Sequence, residues 1–465
     1  MTGLLPSLAA VGGILLLAGT AGHAAAVCLL PGRSAWRRER LSWGLALGLF
    51  LLAGSAALSL AVGVRPGWIA FLLLSAFAVM AGRLFRLRAE EGEGAVLLPL
   101  PSGEGRDEGG LLVTFLLLPP LFLGVLLYAL RALTEPMWAA DFLAIWGWKG
   151  KTIFASASIP AWTWRLPELS FTHPEYPLGL PFLYAGIAFL LGRWDDHAMA
   201  LLFPFLQGAT LLLLAGWLRR RGASRGVALA GAAALSLFEP LYRAFTTGMA
   251  EVPLSFFLLL LATSLADALD GEKGSGRRLA LAAAGSAGLK NEGLFAAAIA
   301  AAIAVVATRK PWRERWRVAG AALIPALAVS AAHRIGRGPL PLRDFRFDLV
   351  LEPEFLSRLL LGLRTILGET SLPGASGVLA FGMLLVAGRR SRSGDRLLAL
   401  AGALLAAYAI LPAFCVWGPD WLARTAFART AAALAPLAAA AAALRLAPVL
   451  TCGGESTGSA ADPAA

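Results

Sequence analysis

A few acidic and basic residues interrupt an otherwise apolar chain, and their types can carry chemistry. Asp141 stands between apolar residues, Glu251 stands at the start of a later apolar segment, and Lys290 stands inside another one. A carboxylate in a partly apolar setting can accept a proton from an attacking hydroxyl group. A lysine or arginine can stabilise the negative charge on a departing phosphate. These residues predict a site for proton transfer beside a bound anion, with Asp141 and Glu251 as candidate catalytic residues.

Each of these residues also has a purely structural interpretation. Asp141 can be a helix N-cap, a position that favours Asp. Glu251 can mark an ordinary helix start, because Pro253 follows it and proline is tolerated in a first turn. Lys290 can form an internal salt bridge with Glu292 or another acid. A charged lysine costs ~2.5–3.5 kcal/mol at the centre of a membrane span, so we expect Lys290 to be paired or functional.

Further candidates lie around these residues. The tract 173–177, His-Pro-Glu-Tyr-Pro, has two prolines that hold the backbone extended. It can present its His and Tyr side chains to a ligand, or it can be a stiff turn that leads into the membrane. Arg424 and Arg429 can bind a phosphate or anchor to lipid headgroups. The candidate residues for binding are Lys149, His173, Glu175, Tyr176, Lys290, Glu292, Arg424 and Arg429.

The elements that must position these residues are membrane-spanning helices. The 465-residue chain is 58% hydrophobic and 15% charged, whereas soluble domains are ~25% charged. Its mean hydropathy is +0.70. Apolar stretches near the ~20 residues needed to cross a bilayer recur along almost the whole chain. The predicted fold class is therefore all-α, a polytopic helical membrane protein with about 11–13 transmembrane helices.

Basic residues account for the net charge of +12 and form short clusters between apolar segments, as at 37–40, 219–221 and 389–392. Such clusters mark cytoplasmic loops under the positive-inside rule, so we expect no nucleic-acid partner. The three cysteines form no CxxC pair, and the four histidines lack the HExxH spacing. We therefore predict no metal site and no cofactor.

The loop charges divide the chain into regions. The predicted regions are N-terminal transmembrane helices with a cytoplasmic loop (1–110), a catalytic core (111–310), C-terminal transmembrane helices (311–448) and a disordered tail (449–465). A long loop at 132–177 and a shorter one at 417–429 are predicted to be external, and spans are predicted near 374–388 and 430–448.

Two segments of the core do not fit a simple crossing. Residues 178–192 are short enough to be interfacial or re-entrant. If they do not cross, the arginine cluster after residue 218 lies on the cytoplasmic side; if they cross, it lies outside, and we prefer the first alternative. Residues 279–307 have basic loops at both ends but are too short for two full crossings. They predict a hairpin of short helices with residues 290–293 at its tip.

The order of these features resembles the GT-C superfamily of membrane glycosyltransferases, which includes protein O-mannosyltransferases and bacterial aminoarabinose transferases. The resemblance covers roughly residues 111–310, with weaker support from 417–436. Three motifs carry the resemblance: Thr-His-Pro-Glu-Tyr-Pro at 172–177, Glu-Val-Pro at 251–253 and Gly-Leu-Lys-Asn-Glu-Gly at 288–293. The chain differs from the relatives in two respects. Phe142 rather than a second acid follows Asp141, and the acid of the second external loop is Glu251, where relatives often have Asp.

This resemblance implies transfer of a sugar, with inversion, from a polyprenyl-phosphate-linked donor on the external face of the membrane. Asp141 then matches the catalytic acid of the first external loop, Glu251 the acid of the second, and Lys290 the lysine of the family hairpin. The acceptor is a lipid, a glycan or a protein, and membrane lipids surround the chain. We expect a bacterial inner membrane, with the active site facing the periplasm.

Two other functions remain open. A transporter or flippase of a lipid-linked saccharide predicts two related halves and ionisable groups near the bilayer midplane. The chain has no clear internal repeat, and its charges favour one face. A ligase or polymerase of surface polysaccharide is also an enzyme, but it uses a diphosphate-linked donor.

Overall fold

The structure is a computed structural model and is helical almost throughout. It describes all residues except 1–3, 30–36, 91–107, 161–165, 244–245, 307–309, 336–344, 370–390 and 452–465. Within these described ranges, a single isolated bridge between Phe345 and Cys415 is the only pairing of extended backbone. The predicted all-α fold class is confirmed.

The helices are numbered in chain order. They are α1 (Leu4–Leu29), α2 (Arg37–Ala61), α3 (Trp68–Glu90), α4 (Glu108–Thr134), α5 (Gly147–Ser156), α6 (Gly179–Leu191), α7 (Asp196–Met199), α8 (Leu202–Arg220), α9 (Arg225–Ser236), α10 (Glu251–Leu269), α11 (Ser275–Leu289), α12 (Asn291–Val306), α13 (Trp312–Ile335), α14 (Phe355–Glu369), α15 (Arg392–Ile410), α16 (Pro419–Leu422), α17 (Ala428–Ala432) and α18 (Ala435–Thr451).

Seven helices in the described part of the chain are long and apolar enough to cross a membrane. An eighth span results if Pro419–Ala432 and Ala435–Ala447, bent by 48°, count as one. The predicted number of 11–13 also included shorter apolar segments, which here form helices such as α6, α9 and α12. The chain is an integral membrane protein by the length and composition of its helices.

Helix α10 is the centre of the bundle. All of its residues from Glu251 to Leu269 are buried, and it packs against α8, α11, α12 and α18. At ~1.5 Å per residue, its 19 residues span about 28 Å, close to the ~30 Å thickness of a bilayer's hydrocarbon core. Its two ends therefore lie near the two membrane surfaces. We call them the Glu251 end and the Asp267 end.

The predicted hairpin is present as α11 and α12. Arg278, in the first turn of α11, contacts Asp267, and Lys310, after α12, donates to the Ala268 carbonyl over 3.1 Å. The hairpin therefore starts and finishes at the Asp267 end. Its two helices cross closely at Gly293, where a Cβ atom would lie 1.9 Å from the Ser286 carbonyl oxygen. Only glycine permits this approach, which holds the tip at the Glu251 end.

Both ends of helix α6 lie at the same end of the bundle. A Cβ atom on Gly179, its first residue, would lie 2.3 Å from the carbonyl oxygen of Gly288, beside the hairpin tip. Its last turn leads through α7 into α8, whose final residue, Arg220, lies at the Asp267 end beside Asp267. Both ends of this 13-residue helix thus lie at the Glu251 end. This arrangement supports the alternative in which residues 178–192 do not cross.

The prediction of a loop at 417–429 is wrong. The segment is helical from Pro419 to Ala432, because proline is favoured at the first helical position and the following alanines are good helix formers. Three charged residues in the segment made it look like a loop. Helix α3 likewise continues to Glu90, and α18 continues to Thr451, beyond the predicted limits. The span predicted at 374–388 and most of the predicted tail lie outside the described residues.

Candidate functional site

Five charged side chains meet at the Glu251 end, and we call them the charged cluster. Lys290 Nζ lies 2.8 Å from Glu292 Oε1 and 3.1 Å from Glu251 Oε1. Arg429 Nε lies 3.1 Å from the same Glu251 oxygen, and Arg429 Nη2 lies 3.0 Å from Asp141 Oδ2. The cluster thus joins residues from four separate segments. It holds three acids and two bases, so it carries one excess negative charge when all are ionised.

The helix ends and turns explain how these side chains come together. Glu251 is the first residue of α10, where the positive end of the helix dipole favours a carboxylate. Lys290 separates α11 from α12 in an extended conformation, with φ −156° and ψ 152°. The break lets its side chain leave the hairpin tip toward α10. Both residues are nearly inaccessible, at 1% and 4% exposure.

Two π-helical turns flank the pair of Asp141 and Arg429. One runs from Phe142 to Trp146, directly after the acid, and the other from Ala423 to Phe427, two residues before the arginine. A π-turn inserts an extra residue into a helix and changes the direction of neighbouring side chains, and such turns are frequent at functional sites. Both partners of this ion pair are therefore positioned by irregular helix.

The tract 173–177 forms a stacked group beside Asp141. The ring of Tyr176 stacks on His173 at 4.9 Å and on Trp146 at 5.4 Å. His173 Nδ1 lies 2.9 Å from Glu175 Oε1, and Lys149 donates to the His173 carbonyl over 2.6 Å. His173 has a φ of +48°, a strained conformation for a non-glycine residue that persists only where the surroundings hold it.

The loop before α10 ties these elements together. Gly248 has a φ of +90°, and a Cβ atom there would lie 2.8 Å from the ring of Phe142. The Tyr184 hydroxyl donates to the Gly248 carbonyl over 2.9 Å, and its ring packs edge-on against Phe142 at 5.8 Å. The turn that follows Asp141 is thereby held against the segment that leads to Glu251.

Several buried polar atoms at this end lack a hydrogen-bond partner within the described part of the chain. They are Glu251 Oε2, Arg429 Nε, Trp146 Nε1 and the Tyr408 hydroxyl. Arg429 Nε is close to Glu251 Oε1, so their contact is an ion pair without the alignment of a hydrogen bond. Buried polar groups are normally satisfied by protein, water or ligand. Glu251 and Arg429 therefore leave part of their hydrogen-bonding capacity unused by the described residues.

Of the purely structural interpretations, the one for Lys290 is confirmed and the one for Asp141 is wrong. Asp141 precedes a helical turn but makes no side-chain capping hydrogen bond, so the N-cap interpretation is wrong. The salt-bridge interpretation of Lys290 is confirmed, and it has two acidic partners instead of one. Asp195 caps α7 by accepting a hydrogen bond from Ala198 N over 3.1 Å.

The remaining predicted residues do not all join the charged cluster. Lys149, His173, Glu175 and Tyr176 form the neighbouring stacked group, and Tyr176 is within electrostatic range of Arg429. Arg424 is exposed, five residues before Arg429 on the same helical segment.

Sequence reasoning missed Tyr408 in α15, which is 5% exposed and within electrostatic range of Glu251 and Glu292. One signal was available. The chain has only five tyrosines. Tyr128 packs on Tyr242, which lies in the loop before α10, at 5.3 Å between ring centroids. Together with Tyr176, Tyr184 and Tyr408, this pair places all five tyrosines at the Glu251 end.

Fold and site define this chain as a polytopic helical membrane protein with a charged cluster at one end of its central helix. Comparisons with protein-family models, with curated proteins and with solved structures find no match to the chain.

Proposed function

We propose that this chain is a membrane glycosyltransferase. It moves a sugar from a polyprenyl-phosphate-linked donor to a hydroxyl or amine of a lipid, glycan or protein acceptor. The observation that carries the proposal is the charged cluster, in which Asp141, Glu251 and Glu292 alternate with Lys290 and Arg429. Acids that can take a proton stand directly beside cations that can hold a phosphate.

The exposure of the acids assigns their parts in the reaction. The Asp141 side chain is 23% exposed, whereas Glu251 is 1% exposed. An acceptor can therefore reach Asp141 more readily than Glu251. We assign Asp141 as the general base and Glu251 as the residue that holds Lys290 and Arg429 in place, and Glu251 as the base stays the alternative.

The reaction then balances as an in-line displacement. The acceptor hydroxyl gives its proton to Asp141 as its oxygen bonds to the anomeric carbon, which supports the rate by ~10²–10⁴-fold. The bond from that carbon to the phosphate oxygen breaks on the opposite face, so the configuration inverts. Polyprenyl phosphate leaves with the electron pair, and Arg429 and Lys290 stabilise its charge.

The charge distribution supports an external site. Arg220, Arg221, Arg278 and Lys310 all lie at the Asp267 end, which is the cytoplasmic end under the positive-inside rule. The charged cluster then faces the exterior, which is the periplasm in a bacterial inner membrane. Helix α14 packs beside the segment that carries Arg429 and exposes Leu356, Leu360 and Leu367, a surface suited to the donor's lipid tail.

The test is a donor-turnover assay. Purified protein in liposomes is mixed with a lipid extract of its native host, and mass spectrometry measures the free polyprenyl phosphate released. Wild type should release it and Asp141→Asn should not. Asp420→Asn, which neutralises an acid of the same region outside the charged cluster, should behave as wild type.

Other outcomes of this assay discriminate the alternatives. Equal release by wild type and Asp141→Asn excludes Asp141 as the base and transfers that part to Glu251. No release by folded wild-type protein, together with movement of a lipid-linked saccharide across the liposome membrane, favours a transporter. Release of a polyprenyl diphosphate instead of a monophosphate favours a ligase or polymerase.

A further inference from the structure

We propose that the Asp141–Arg429 ion pair is a latch that the phosphate of the donor opens, so that the donor must bind before Asp141 can act as a base. This inference rests on the proposed function, because it names how the same site is regulated. In the structure, Lys290 and Arg429 are both held by the site's own carboxylates. The site is therefore closed on itself, and a ligand anion has to replace a carboxylate.

The geometry shows which contact gives way. Glu251 Oε1 contacts both Lys290 and Arg429, and both contacts are buried, since Glu251 is 1% exposed. Breaking them would leave a buried charge without its partner, which is strongly unfavourable. The contact between Arg429 Nη2 and Asp141 Oδ2 joins side chains that are 15% and 23% exposed. It is the most exposed of the cluster's four contacts, since the Lys290–Glu292 contact joins side chains that are 4% and 15% exposed.

Arg429 is built for such an exchange. Its Nε side is anchored by Glu251 and its Nη2 side is engaged by Asp141, so the guanidinium can stay in place while one partner replaces another. A guanidinium binds a phosphate by two parallel N–H···O contacts. The phosphate of the donor brings several oxygens, whereas a single oxygen of Asp141 contacts Arg429 at 3.0 Å. The phosphate is therefore the stronger partner.

The exchange couples the two halves of the reaction. While Arg429 contacts Asp141 Oδ2, the carboxylate is held toward the cation instead of toward an acceptor. When the phosphate takes Arg429, the cation that will stabilise the leaving group is in place and Asp141 is released in the same step. The acceptor is then activated only beside a bound donor.

The test measures the affinity of polyprenyl phosphate, without any sugar, for the detergent-solubilised full chain by isothermal titration calorimetry. Because Asp141 competes with the phosphate for Arg429, Asp141→Asn should bind it about tenfold more tightly than wild type. Arg429→Gln should bind it at least tenfold more weakly, and Arg429→Lys should fall between. Polyprenol, which lacks the phosphate, should show no difference between wild type and Asp141→Asn.

Two controls make the test specific. Asp420→Asn removes the same charge without touching Arg429 and should leave the affinity unchanged. The double variant Asp141→Asn with Arg429→Gln should bind no more tightly than Arg429→Gln alone, because the competition needs both residues. Equal affinity of wild type and Asp141→Asn, tightening by Asp420→Asn of the same size, or tightening that persists in the double variant would overturn the latch.

The binding measurement separates this inference from the proposed function. A chain that shows the expected affinities but never releases polyprenyl phosphate in the turnover assay contradicts the transferase and leaves the latch standing. A chain that turns over its donor but binds polyprenyl phosphate equally with Asp141 or Asn at this position contradicts the latch alone.

Discussion

The two ends of α10 are both surrounded by buried charges, but the charges are arranged differently. At the Asp267 end, Asp267 accepts from Arg220 over 2.8 Å, from Arg278 over 3.0 Å, and also from Arg221 and Trp217. Both of its oxygens are used. At the Glu251 end, one oxygen of Glu251 contacts two cations, and the other has no hydrogen-bond partner among the residues that the structure describes.

The cations differ as well. The Asp267 end uses arginines, and Arg220 holds Glu39 with Nε at 2.7 Å and Nη2 at 3.2 Å. This two-point contact fixes the geometry and joins α2, α8 and α10. The Glu251 end combines Lys290, a point charge on a flexible stem, with one arginine, Arg429. A network that uses both oxygens of its central acid suits a permanent structural clamp at the Asp267 end. The Glu251 end, where the contact of Arg429 with Asp141 is partly exposed, suits a site that exchanges partners.

This contrast separates stability from function along one helix. The Asp267 end joins the bundle through contacts that no ligand needs to replace. At the Glu251 end the central acid itself keeps one oxygen without a hydrogen-bond partner among the described residues, a cost in stability that natural proteins accept mainly at functional sites. The two ends should therefore respond differently to the same kind of mutation.

The largest effect is expected at the Asp267 end. Asp267→Asn removes the charge that pairs with Arg220, Arg221 and Arg278. Breaking such a buried network costs about 3–5 kcal/mol of unfolding free energy, measured as a lower thermal midpoint in detergent. The matched control is Asp348→Asn, because Asp348 is 62% exposed and its partner Arg346 is 48% exposed. A shift of equal size in both variants would contradict the clamp.

At the Glu251 end, Glu251→Gln should reduce turnover of the donor more than it reduces the stability of the fold, in contrast to Asp267→Asn. Lys290 keeps Glu292 and Arg429 keeps Asp141, so neither cation is left alone. The two cations lose their common anchor, however, and release of polyprenyl phosphate should fall about 10²–10³-fold, the size of effect seen when one preorganised charge-stabilising group is lost. A variant that unfolds as readily as Asp267→Asn would show that both ends are structural.

The sequence predicts the parts of this contrast that depend on local patterns. Basic residues on both sides of a short apolar stretch predict the hairpin, and the position of Lys290 within it predicts the tip. The start of α10 follows from Glu251 and Pro253. These features depend on loop charge, segment length and turn residues, all of which act over a few positions in the chain.

The remaining parts depend on packing between distant segments. The pairing of Asp141 with Arg429 joins two π-turns, which no simple periodicity indicates. The helix that carries Arg429 was mistaken for a loop because its charges hide its helix-forming alanines. Tyr408 lies in the middle of an apolar helix, and only the packing of α15 brings it near Glu251 and Glu292.

A smaller effect should come from replacing a guanidinium at the Asp267 end while its charge is kept. Arg220→Lys loses the two-point contacts with Glu39 and Glu272, which should cost about 1–2 kcal/mol. Arg219→Lys is the control, because Arg219 donates to the Ala223 carbonyl over 2.9 Å and a lysine can replace that bond. If both variants unfold at the same temperature, the two-point contacts of the Arg220 guanidinium do not contribute to the stability of the Asp267 end.

The smallest effect is a dependence of the clamp on pH, through Asp270 just beyond α10. Burial of Asp270 disfavours its charged form, but hydrogen bonds of 2.5 Å from Arg396 and Arg221 outweigh burial and lower its pKa below the usual value. A lowered pKa in the folded state stabilises the fold fully above the unfolded value of ~3.9 and loses this effect as pH falls through the folded pKa.

The difference in thermal midpoint between wild type and Asp270→Asn should therefore be constant from neutral pH down to about 5 and should shrink below about 4. Asp348 is the control, because its pKa is also lowered, by Arg346, but this pair is exposed at the surface. Water and salt screen such a pair, so Asp348→Asn should leave the midpoint nearly unchanged at every pH. A difference for Asp270→Asn that grows on acidification would reverse the sign of this argument. It would show that the arginines around Asp270 do not hold it in its charged form.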